Sequence, residues 1–162
     1  MRRLTHIATT LALIASAAWA LPDYKAICAD MPDLSGWKAD ECTGMKMTNP
    51  MMGGEVVTAT REYTKGDASL TASVVTGMQA MMMWGPYSSG MTMENDEMLM
   101  KIQKIDGFDV GINYDKKAHS GVVVVQLTQN ALLAFNFENM DWQAALEEAK
   151  KFDWKKLRSL FE

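Results

Sequence analysis

Thioether sulfur is the reactive chemistry that this sequence supplies most freely, with 15 methionines in 162 residues. Apart from Met1, Met31 and Met140 they come in groups: Met45 and Met47; Met51 and Met52; Met78 and Met81 to Met83; Met91 and Met93; Met98 and Met100. Residues 66–100 hold eight of them and no Lys or Arg, but carry Asp67, Glu94, Asp96 and Glu97. A thioether is a soft ligand that selects Cu(I) over Zn or Mg. It has no proton to lose, so it binds without the pH penalty of Cys or His. Met-x-Met in a strand puts both sulfurs on one face. The candidate Cu(I) ligands are therefore Met45, Met47, Met51, Met52, Met91 and Met93.

Two other chemistries use sulfur. Exposed methionine scavenges oxidants, passing to sulfoxide and back. Methionine also makes adaptable apolar partner surfaces. Met81, Met82 and Met83 beside Trp84 and Tyr87 would suit such a surface for another exported protein. The competing expectation is core filling. Met98 and Met100 are in phase with Ile102, and Met78, Met81 and Met82 have the i, i+3, i+4 spacing of a face turned to a sheet. Three consecutive methionines fan across roughly 200° of a helix, so Met81 to Met83 cannot all share that face.

Catalytic signatures are lacking. There is no P-loop, G-x-G-x-x-G, H-E-x-x-H, EF-hand loop or G-x-S-x-G elbow. His119 stands in a polar turn beside Ser120 and Asp115, neighbours poorly placed for a proton relay. Glu94, Asp96 and Glu97 read as a solvated acidic loop. The expectation is a binding protein rather than an enzyme, with no catalytic residue and no cofactor beyond Cu(I).

An export address fits this reading. Arg2 and Arg3 precede an apolar run over residues 7–18, and Ala18-Trp19-Ala20 has the small-x-small form of a leader peptidase site. Residues 1–20 are expected to be removed, leaving one domain over 21–162 in the periplasm or outside the cell. The run is too short to span a membrane, which takes roughly 20 apolar residues. Loss of Arg2 and Arg3 leaves 14 basic against 20 acidic residues, a net charge of −6. That argues against nucleic acid as a partner. In an oxidising compartment Cys28 and Cys42 are expected to pair.

The elements that must position these residues follow from pattern. Pro22 and Pro32 bound a short helix over 23–31. Residues 37–47 form a first strand. Strands over 55–64 and 68–77 flank Lys65-Gly66-Asp67, a hairpin turn. Residues 78–84 are helical, ended by Gly85-Pro86. A meander follows over 97–105, 108–115, 121–127 and 131–138. The run Val122 to Val125 marks a central strand covered on both faces. Asp141 and Asp153 are placed to cap C-terminal helices, with Trp142, Ala145, Leu146, Ala149, Trp154, Leu157 and Phe161 inward. The fold expected is α+β. An antiparallel sheet of about six or seven strands, hairpin plus meander, carries N-terminal, mid-chain and C-terminal helices.

This order of elements resembles the PsbP-like superfamily of small α/β sandwiches, and a group of exported bacterial proteins ending in a similar meander and helix. The resemblance implies an accessory or binding protein. It transfers no functional residue.

Overall fold

A computed structural model describes residues 20–52 and 54–162. Residues 1–19 of the leader read in the sequence lie outside the described residues. Helix α1 (Tyr24–Ala29) is followed by strands β1 (Lys38–Ala39) and β2 (Thr43–Asn49), a 3₁₀ turn (Pro50–Met52), then β3 (Gly54–Lys65) and β4 (Ala68–Thr76). Helix α2 (Met78–Trp84) runs into a second 3₁₀ turn (Gly85–Tyr87). Strands β5 (Met93–Glu94), β6 (Met98–Ile105), β7 (Phe108–Asp115), β8 (Ser120–Thr128) and β9 (Ala131–Glu138) precede α3 (Trp142–Ala149) and α4 (Trp154–Ser159).

All nine strands join one antiparallel sheet in the order β1-β3-β4-β9-β8-β7-β6-β5, with β2 beside β1 on the same edge of β3. The expected six or seven strands are thus an undercount. The stretch read as one strand over 37–47 is two pieces, β1 and β2, separated at Asp40–Cys42. The two-residue β5 is too short to carry a period. The β3–β4 hairpin and the β6-to-β9 meander lie where the alternation placed them. Strand β8 is interior, between β7 and β9. Its Val123, Val124 and Val125 are buried on alternate faces.

One face of the sheet holds the main core. Tyr63, Leu70, Val110, Leu133, Phe135 and Phe137 are almost wholly buried there against α1, α3 and α4. Ile27 anchors α1, and the Asp23 carboxylate accepts the Lys25 N–H at 2.9 Å to start it. The expected disulfide is present: Cys28 in α1 is bonded to Cys42, the residue before β2, with Cα atoms 5.6 Å apart. Ala145, Leu146 and Ala149 of α3, and Trp154 and Leu157 of α4, point inward as the periodicity required. Trp142 is only partly buried, and the Lys101 ammonium lies 3.9 Å from the centre of its ring.

The opposite face is thinly covered. Val75, Val124, Leu132, Ala134 and Met100 form a small cluster under Ala80 and Tyr87. Tyr87 lies flat on the sheet because residue 111 is glycine: a Cβ there would meet the ring at 2.6 Å. Helix α2 and its 3₁₀ extension are the main cover on this side, so most of what they do not shield meets solvent.

Candidate functional site

Register decides where the sulfurs go. In an antiparallel pair, residues directly opposite share a face, and the face alternates along each strand. Met45 pairs with Thr58 and Met47 with Val56, while Thr58 pairs with Val75, which lies beneath α2. Both methionines of β2 therefore project to the thinly covered side. At the far edge, Met93 stands opposite Met100, and Met98 follows the same alternation.

Helix α2 adds its own methionines to this side. It starts after Gly77, whose φ of +69° turns the chain from β4 in a way few other residues allow. Ala80 is buried while Met83 and Trp84 are half-buried, so this i, i+3, i+4 stripe faces the sheet. The stripe expected to do so, Met78, Met81 and Met82, is exposed instead. Both stripes are apolar, and the one led by the small Ala80 is the one that packs on the sheet. Met98 is likewise 36% exposed, contrary to its expected place in the core, because it projects to the thinly covered face.

Most clustered methionines are thus accessible: Met45, Met47, Met51, Met78, Met81, Met82, Met91, Met93 and Met98 are exposed, and Met100 alone of that series is buried. Met52 shares the first 3₁₀ turn with Met51. Three of the exposed set converge. Met45 and Met47 from β2 and Met78 from the first turn of α2 line one cleft of about 120 Å³, together with Val56, Thr58 and Gln79. Its walls are almost entirely apolar and carry no ionisable group. The two methionines of β2 are 57% and 43% exposed and Met78 is 45% exposed, so these side chains border water and line the cleft at once.

The six ligands expected from spacing do not form one set. Met45 and Met47 lie on β2, and Met93 on β5 at the opposite edge of the sheet, with Met91 just before it. Seven strand spacings separate them, roughly 30 Å along the sheet. Met51 is 94% exposed in the turn after β2. What spacing missed is Met78. It belongs to the cleft through the β4–α2 turn, and that turn left no mark beyond Gly77 itself. Of the surface residues expected around α2, Met81 and Met82 are exposed, Met83 and Trp84 half-buried, and Tyr87 is buried against Gly111. Tyr87 is therefore withdrawn from any partner surface.

His119 and the acidic loop are held, not free. The Tyr114 hydroxyl donates to Asp141 Oδ1 at 2.6 Å, and His119 Nδ1 lies 3.0 Å from that hydroxyl and 3.2 Å from the same carboxylate oxygen. Ser120 and Asp115, its expected neighbours, are not its partners. The Tyr114 hydroxyl and then His119 hold Asp141 below the usual carboxylate range. Asp141 stands at the N-cap position of α3 but makes no cap bond, because its oxygen is given to this cluster. The cluster ties the start of α3 to the β7–β8 turn. In the acidic loop, Lys116 pairs with Glu94 at 2.9 Å and lowers its pKa, and Lys117 pairs with Glu97.

Among the described residues, no group of three or more His, Cys, Asp or Glu is arranged to hold a metal ion. No helix among them is long and apolar enough to cross a membrane. Comparison of the chain with family models, with curated proteins and with solved structures finds no match.

Proposed function

We propose that this is an exported, non-catalytic accessory protein that captures Cu(I) through the thioethers of Met45, Met47 and Met78. One observation carries the reading: three methionines from two elements well separated in sequence line a single small cleft at the rim of the sheet. Leucine would line an apolar notch equally well. Sulfur at all three positions, each within reach of solvent, supports a ligand role. Three neutral thioethers suit a soft monovalent cation and offer little to Zn or Mg. Export supports the choice, because thiols pair off in an oxidising compartment, as Cys28 and Cys42 have done here, whereas thioethers do not. The acidic balance of the chain adds no repulsion for a cation.

Competition against a Cu(I) chelator tests this. The chain from Leu21 should take up one Cu(I) at micromolar protein. Leucine at Met45, Met47 and Met78 together should weaken uptake by about tenfold or more. Met51→Leu should leave it unchanged. Uptake that ignores the triple substitution removes the cleft from consideration, and no uptake by the unaltered chain removes the metal.

A second reading is favoured by Met51 and Met82, which are 94% and 73% exposed. Sulfurs so placed need no geometry to consume oxidants, and sulfoxide can be reduced again. Peptide mapping after mild hypochlorite should then find the exposed methionines oxidised, Met31 and Met100 spared, and the circular dichroism unchanged. Exposed methionines that resist oxidation would count against scavenging without touching the copper reading.

A further inference from the structure

We infer that the β2–β3 edge contains a seat for a processed N-terminus, built by Glu55 and Lys46 around Leu21. The inference rests on the reading of residues 1–20 as a removable leader. The Leu21 N–H donates to Glu55 Oε2 at 3.2 Å. Lys46 Nζ donates to the Leu21 carbonyl at 2.7 Å and lies 3.4 Å from Glu55 Oε1. The Leu21 side chain packs on the main core, which holds the residue in place.

Within an uncleaved chain the Leu21 nitrogen is an amide, and its bond to Glu55 is an ordinary one. A leader peptidase adds water across the Ala20–Leu21 bond. The C–N bond breaks, hydroxide goes to the Ala20 carbonyl, and the Leu21 nitrogen takes the remaining hydrogen and one solvent proton. Ala20 departs as a carboxylate, its carboxyl proton returning to solvent in place of the one the amine took. The nitrogen already placed at Glu55 becomes an ammonium, and the contact becomes charge-assisted. The two oxygens of Glu55 then serve two cations, the new terminus on Oε2 and Lys46 on Oε1.

Placement gives the clip a consequence. Among the described residues, strand β2 is paired to β3 alone. Lys46 sits between Met45 and Met47, on the opposite face of the same strand. Securing Lys46 and Glu55 to the new terminus fixes the strand that carries two walls of the methionine cleft. Maturation thereby completes the edge only after the leader is gone.

The test avoids copper. Intact mass and N-terminal sequencing of the exported chain should give Leu21 as the first residue, and another start sinks both the leader reading and the seat. Two chains are then compared, one starting at Leu21 and one retaining residues 17–20, which carries its ammonium four residues before Leu21. Each is made with Glu55 and with Glu55→Gln. With Glu55, the extension should lower Tm by about 2 °C. It should also speed amide exchange in β2 about threefold. With Glu55→Gln, the extension should change neither. An equal response in both backgrounds overturns the seat while leaving the leader intact.

Discussion

Tyr63 and Tyr87 lie on opposite faces of the sheet, and burial pushes both up to about 12. For Tyr63 the Arg61 guanidinium works the other way and loses to burial, and its hydroxyl donates to the Pro32 carbonyl at 2.8 Å. An unfolded tyrosine ionises near pH ~10. The folded chain therefore holds the neutral form beyond the point at which the unfolded chain gives it up. The stabilisation this lends is complete below pH ~10 and is lost as pH rises through about 12. Alkaline titration should show these two phenols ionising together with loss of near-ultraviolet dichroism. A phenolate wave complete near pH ~10 with tertiary dichroism intact would contradict that. Residue chemistry was legible where it depends on type alone. The Cys28–Cys42 pair followed from there being two cysteines in a chain whose start reads as a leader, and Met45 and Met47 shared a face because a strand has period two. His119 was not legible, since its partners Tyr114 and Asp141 reach it only through β7 and α3.

At the scale of elements, α2 is the informative case. Its sequence offers two apolar stripes of equal spacing, and only packing chooses between them. Ala80, with no bulk, lets the helix lie close on Val75, Val124 and Leu132, and this turns Met78 toward β2. Local pattern cannot reveal this, just as it cannot reveal that β4 pairs with β9 and so sends β2 and β5 to opposite edges. The split of the six expected ligands has the same origin: spacing reports faces, not strand order. Ala80→Asp places a carboxylate on the one fully buried position of the helix. We expect α2 to lift rather than the sheet to melt, with a loss of about 1–3 kcal/mol in denaturant unfolding. Trp84 fluorescence should shift to the red while far-ultraviolet strand signal persists. Cu(I) uptake should fall, because Met78 leaves with the helix. Unaltered Trp84 emission would mean that the helix is held by something other than this contact.

Across the whole molecule the two faces of the sheet divide the labour. Among the described residues, the covered face carries nearly all the large buried side chains and the disulfide-tied α1, and the other face carries one short helix and the exposed methionines. Stability should therefore depend on one side and chemistry on the other. Leu133→Ala empties space between Val74 and Val125 on the covered face and should lower unfolding free energy by about 2–5 kcal/mol. Leucine at Met45, Met47 and Met78 nearly conserves volume at half-open positions and should change it by less than about 1.5 kcal/mol. Guanidinium denaturation of both variants makes the comparison. If the triple substitution destabilises as much as the core truncation, the cleft is a load-carrying part of the fold, and its sulfurs need no ligand to explain them. If stability survives while Cu(I) uptake is lost, the methionines are there for their sulfur. An edge that the fold can spare is where a sequence can concentrate one side chain without weakening its core.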